Sequence, residues 1–157
     1  MLGIDPGYDR LGLAVLQGDA SAPEHLWSDC FIPPKGTREM RLAAVYAVLV
    51  DAIHTYSPDA IALETLFFST NRSTALGVAE ARGAVLAAAG AARLPVREYA
   101  PQQVKLAVTG YGASDKVAIA RMLPHLIVLP EKKRLDDELD AIALAIACLA
   151  DRAPHRL

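Results

Sequence analysis

The chain has 157 residues, 53% of them apolar, and a formal net charge of −2. That is enough apolar material for one domain with a real core, and it excludes disordered and fibrous classes. No apolar stretch reaches the about 20 residues of a membrane helix. No basic leader precedes an apolar run, so a cytoplasmic protein without a signal peptide is expected. Cys30 and Cys148 lack CxxC spacing and are expected to be buried free thiols.

In chain order, residues 1–5 read as a short strand, Pro6-Gly7 as a turn, and LGLAVL (11–16) as a second strand. After the breaker DASAP, HLWSDCFI (25–32) reads as a third. REMRLAAVYAVLVDAIHTY (38–56) carries Leu42, Val45, Leu49, Ile53 and Tyr56 at helical spacing. DAIALE (59–64) is a strand closed by a carboxylate. The segment 73–92 is a helix rich in Ala and Gly, and LPVREY (94–99) is a fifth strand. A helix is expected from Pro101, its first helical position, to a stop at Gly110. Another is expected from a Ser114 cap to about residue 123, with Pro124 and Pro130 bracketing a connection. The last helix runs from about 136 to 151. This order specifies a single α/β domain over residues 1–157 with a mixed sheet.

Four acids stand out. Asp5 and Glu64 end strands, and Asp137 and Asp140 lie in the first turns of the last helix. Three helical residues turn through about 300°, so Asp137 and Asp140 project only ~60° apart. Beside them Leu139, Ile142, Ala143, Ile146 and Leu149 form a stripe able to pack on the sheet. Ligands in open α/β sheets sit outside the carboxyl ends of strands, where Asp5 and Glu64 are. Taken singly, each acid also suits a turn or a helix cap. Convergence separates the two readings: like charges ~4 Å apart repel by ~4 kcal/mol at an effective dielectric of ~20. Four in one cleft need neutralisation or divalent cations, and an all-oxygen set suits Mg²⁺ or Mn²⁺. With four carboxylates set aside in this way, −2 becomes +2 for the remaining surface.

IDPGYDRLGLAV, ALETLFF, YAPQQVKLAVTGYGASDK and LDDELDAIALAIA together, in this order, resemble the RuvC family of Holliday-junction resolvases. The resemblance covers essentially the whole chain. It implies a ribonuclease-H-like fold with a five-stranded mixed sheet flanked by helices. It also implies a homodimer that makes paired symmetric nicks in four-way DNA junctions, in recombination and repair, with two Mg²⁺ or Mn²⁺ ions per site. Asp5, Glu64, Asp137 and Asp140 carry over as the metal-binding catalytic acids. Phe67 matches an aromatic that stacks on a base, and Lys105 and Lys116 match basic residues that touch the backbone. The RuvA–RuvB branch-migration complex is implied as a further partner.

The last acidic motif is richer than the family's, with Asp136 and Glu138 flanking Asp137. Only Asp137 shares the i, i+3 face with Asp140, which favours it as ligand. Arg72 and the run Lys132-Lys133-Arg134 are candidate phosphate contacts or ordinary surface charge. Gly77, Gly83, Ala84, Ala87 and Ala88 give the Ala-rich helix a close-approach surface, suited to a core or to a dimer interface. Two other readings stay open: a nuclease of the same fold acting on RNA or an RNA–DNA hybrid, and a non-catalytic junction-binding module. Actin-like ATPases share the first strand and turn but need a second lobe that this length does not supply.

Overall fold

The computed structural model describes residues 1–65 and 72–151. Strands β1 (Leu2–Pro6), β2 (Leu11–Asp19) and β3 (Ala22–Phe31) are followed by α1 (Arg38–Tyr56) and β4 (Ile61–Glu64). Then come α2 (Arg72–Ala91), β5 (Val96–Tyr99), α3 (Pro101–Thr109), α4 (Lys116–Leu126) and α5 (Asp136–Ala150). The sheet order is β3-β2-β1-β4-β5; β1–β2 and β2–β3 are antiparallel, while β1–β4 and β4–β5 are parallel. This is the mixed five-stranded sheet expected from the sequence.

Period-two alternation sorts the strand residues onto two faces. Leu2, Ile4, Leu11, Leu13, Val15, Ile61 and Leu63 pack with Val45 and Leu49 of α1 and Val85, Ala88 and Ala89 of α2. On this side Trp27 stacks on Tyr56, ring centroids 5.6 Å apart and planes 18° apart. Ala14, Leu16, Ala62 and Tyr99 face the other way, against α3, α4 and α5. Each fully buried aliphatic side chain contributes ~1.5–3 kcal/mol, so the two cores fix the sheet between helical layers.

The second face is built for close approach. A Cβ on Gly3 would lie 2.1 Å from the Ala141 carbonyl oxygen, and one on Gly12 only 1.9 Å from that of Asp137. Gly3 pairs with Ala14, and Gly12 with Asp5. The absent side chains therefore let α5 lie directly on β1 and β2. Residues Ala141–Leu149 are buried on every side. The expected stripe is extended: Ile142, Ala143, Ile146 and Leu149 share the core with Ala14, Leu16 and Ala62, Ala141 and Ala145 meet the sheet at Gly3, and Leu139 packs at the edge of this core beside α4.

Boundaries shift where local chemistry overrides the simple punctuation. Asp19 Oδ1 accepts from Ser21 N (2.7 Å), Ser21 Oγ (2.6 Å) and Ala22 N (3.2 Å), which tightens the hairpin so that β3 starts at Ala22 rather than 25. Pro23 is tolerated within it because β3 is an edge strand. Asp115, not Ser114, caps α4, its Oδ1 accepting from Ala118 N at 2.7 Å. Ser114 Oγ instead lies 2.7 Å from both Thr109 Oγ1 and the Tyr111 carbonyl oxygen. α4 runs on through Pro124 to Leu126, held by burial of Ile119 and Leu123. Cys30 and Cys148 are free thiols; Cys148 is buried, but Cys30 is part-exposed, since β3 lies at the sheet edge. Among the described residues no helix is long and apolar enough to cross a membrane.

Candidate active site

The strand register gathers the acids. Ile4 pairs with Leu63 in the parallel β1–β4 ladder, so the next residues, Asp5 and Glu64, end adjacent strands side by side. Ile4 and Leu63 point into the α1–α2 core, so alternation turns Asp5 and Glu64 to the α5 side. On the far side of Asp5 its partner Gly12 receives the Asp137 carbonyl. Asp140, one turn further along α5, faces the same cleft. Its wall includes Glu64, Lys105, Lys116 and Asp140; an adjoining cavity of about 340 Å³ is lined by Asp5, Glu64, Thr65, Val78 and Arg82.

The electrostatics record the crowding. Burial first, and then the charges of Asp140, Glu64 and Asp137, push the Asp5 carboxyl up to about 7, with Lys116 opposing them. Burial and Asp140 also raise Glu64, against Lys116 and Lys105. Lys116 Nζ donates to Asp140 Oδ2 at 2.7 Å, and this bond holds the ammonium above its ordinary pKa. Arg10 Nε stands 3.1 Å from Asp137 Oδ2, but this oxygen is buried and accepts no hydrogen bond.

Among the described residues no three His, Cys, Asp or Glu side chains stand close enough together to form a finished metal cage. The two α5 acids are instead drawn onto Lys116 and Arg10. The donor set nevertheless fits a hard divalent cation. It is all oxygen, it holds Asp5 against its own repulsion, and it leaves Asp137 Oδ2 unsatisfied.

Glu138 belongs elsewhere. It is 3% exposed, and its Oε1 accepts from Ser28 Oγ at 2.6 Å. The same oxygen lies 2.9 Å from Lys132 Nζ and 3.2 Å from Arg134 Nε. Lys132 Nζ also donates to the Ser28 carbonyl at 2.9 Å, and Ser28 Oγ lies 2.7 Å from His25 Nε2. Lys132 and Lys133 are both exposed, but the structure engages the Lys132 ammonium in holding α5 to β3. Phe67 lies outside the described residues; Arg72 opens α2, and its side chain lies outside them too.

Two residues missed in the sequence support the site. Arg82 on α2 donates from Nη1 to the Glu64 carbonyl at 2.6 Å and pairs through Nη2 with Glu98 at 2.6 Å, tying β4 and β5 to the helix. Arg41 on α1 holds the β1–β2 turn, donating to the Tyr8 carbonyl (2.9 Å) and Asp9 (2.8 Å) with its guanidinium 4.6 Å from the Tyr8 ring centroid. No sequence spacing marks either, because each partner is remote in the chain.

The chain superposes on "T. thermophilus RuvC in complex with Holliday junction substrate" with a TM-score of 0.86 and 34% identity, over 93% of this chain and 90% of that one. A yeast mitochondrial Holliday junction resolvase shares the fold at a TM-score of 0.70 and 14% identity, over 94% of this chain and 76% of that one. The fold is ribonuclease-H-like. A crossover junction endodeoxyribonuclease RuvC of Moorella thermoacetica is 43% identical over 99% of this chain and 93% of its own length. One from Thermotoga petrophila is 38% identical over 92% of this chain and 88% of its own. The family model described as crossover junction endodeoxyribonuclease RuvC matches residues 1–148. The chain belongs to the RuvC family.

Proposed function

We propose that this protein resolves four-way DNA junctions by paired, symmetric phosphodiester hydrolysis, using Asp5, Glu64, Asp137 and Asp140 as its cation-binding acids. The observation that carries this reading is the shared field of the four carboxylates, in which Asp5 is raised to about 7 by burial and by the other three. RuvC-family nucleases depend on divalent metal. Two Mg²⁺ or Mn²⁺ ions bound by these acids would supply an activated water and stabilisation of the leaving oxygen.

The chain's own groups do the rest. Asp5 and Glu64, fixed by the β1–β4 register, set the negative field that attracts cations. Lys105 and Lys116 on the cleft wall offer contacts to the backbone of the strand being cut, and exposed Lys133 one further out. Phe67, three residues beyond Glu64, is assigned to base stacking and Arg72 to a flanking phosphate.

A homodimer suits a substrate of near two-fold symmetry. Of the small residues read as a close-approach surface, Ala88 lies in the core, Ala84 packs against it and Gly77 sits against Tyr8, but Gly83 and Ala87 support an interface: they are exposed on the outer face of α2 with Leu76, Leu86 and Gly90, and Gly83 and Gly90 have open space beside them. Sedimentation should give twice the chain mass. The RuvA–RuvB complex and the cytoplasm are the partner and compartment the family implies.

The direct test incubates a mobile synthetic four-way junction with Mn²⁺ and either the wild type or Asp5→Asn. Two symmetric nicks from the wild type and none from the variant are expected. Absence of nicks from the wild type, or faster cutting of an RNA–DNA hybrid, overturns the assignment.

A further inference from the structure

Asp137 and Glu138 are neighbours with different partners. Glu138 Oε1 is met by a hydroxyl and two cations, all anchored in the fold. Asp137 Oδ2, in a side chain only 18% exposed, accepts no hydrogen bond, and its ion-pair partner is Arg10, whose side chain is 47% exposed. One carboxylate is locked in place and the other is held by a group at the water's edge.

Arg10 lies in the turn between β1 and β2. The backbone of that turn is pinned independently, through Arg41 to the Tyr8 carbonyl, the Asp9 carboxylate and the Tyr8 ring. The Arg10 guanidinium can therefore swing into water by side-chain rotation while the turn and Asp5 stay fixed. A part-exposed ion pair of this kind is weak enough to be exchanged, and a divalent cation is a stronger partner for a carboxylate crowded by other acids.

We infer that Arg10 is a resident counter-ion for Asp137, which a divalent cation must displace to enter the cleft. Arg10 neutralises the α5 end of the cluster while metal is absent and so sets the cation concentration at which the site fills. This rests on Asp137 being a metal ligand, and the experiment separates the two claims.

Mn²⁺ alone is titrated calorimetrically into the full chain without DNA, using wild type, Arg10→Gln, Asp137→Asn and the double variant. Arg10→Gln should bind Mn²⁺ about fivefold more tightly, the upper range for a part-exposed pair. Arg10→Lys should fall between. Asp137→Asn should bind more weakly, and adding Arg10→Gln to it should change nothing, since the competition is gone. Unchanged or weaker binding by Arg10→Gln overturns the inference. So does tightening that persists in the Asp137→Asn background, which would make Arg10 part of the general field. Asp137→Asn binding as well as wild type overturns the ligand assignment itself. As a second readout, the Mn²⁺ concentration giving half-maximal junction nicking should fall by the same factor in Arg10→Gln.

Discussion

Glu138 and Asp140 lie two residues apart on α5, yet their surroundings are opposite. Glu138 is more deeply buried, but Ser28, Lys132 and Arg134 meet its charge from three directions. Asp140 faces Asp5 and Glu64, and among the described residues its ion-pair partner is Lys116, on a side chain 71% exposed. A carboxylate that brings its own fixed cations strengthens the fold when intact. Carboxylates that repel one another weaken it until a cation arrives from outside. Burial alone therefore does not separate structural from functional acids; the permanence of the counter-charge does.

The contrast can be broken most severely at the strand-end acids. Asp5→Asn or Glu64→Gln should cut junction nicking in Mn²⁺ to below about one-thousandth, matching the several kcal/mol of charge stabilisation such sites supply. Gel assays of paired product read this directly. Next is Glu138→Ala, which leaves Lys132 and Arg134 facing a buried void. A loss of about 3 kcal/mol in urea unfolding is expected, with Glu138→Gln losing less because it keeps a partner for Ser28. Activity should fall through loss of folded protein and of α5 placement.

Asp5 sharpens the comparison by sign. Its folded pKa of about 7 lies above its unfolded value, so the folded state binds the extra proton between about pH 4 and pH 7. Its contribution is fully present below that window and is lost as pH rises through 7. Metal-free Asp5→Asn should therefore be more stable than wild type at pH 8, by about 2 kcal/mol, with the difference vanishing near pH 4. Denaturation at both pH values checks it, and an Asp5→Asn less stable than wild type at pH 8 contradicts the repulsive cluster. The smallest effect separates two adjacent lysines. Lys133→Ala should weaken junction binding by about threefold without changing stability, whereas Lys132→Ala should lower stability by about 1 kcal/mol.

Much of this was legible in the chain. Apolar runs, Pro and Gly breakers and, for α1, helical spacing placed the ten elements of the described residues, and α1 matches its expected bounds at Arg38 and Tyr56. Strand-end position was enough to put Asp5 and Glu64 together, because a parallel register aligns carboxyl ends. The i, i+3 spacing distinguished Asp137 from Glu138, and the structure turns Glu138 towards Ser28. What was hidden depends on distance along the chain. His25, Ser28 and Glu138 form one hydrogen-bonded line although 110 residues separate the last two. Nothing in the KKR run shows that Lys132 is taken by Glu138 while Lys133 is not. Gly12 reads locally as a weak point in a strand; its reason is the Asp137 carbonyl that rests on it.

The Trp27–Tyr56 stack gives this molecule an optical division of labour. Trp27 is the single tryptophan, and it sits on the α1 side of β3, while the next residue, Ser28, is buried against Glu138. Its fluorescence should follow the parting of α1 from the sheet edge, and cations entering the cleft beyond β1 should leave that emission almost unchanged. Unfolding and ion uptake can then be recorded in one cuvette as separate signals, without attaching a dye.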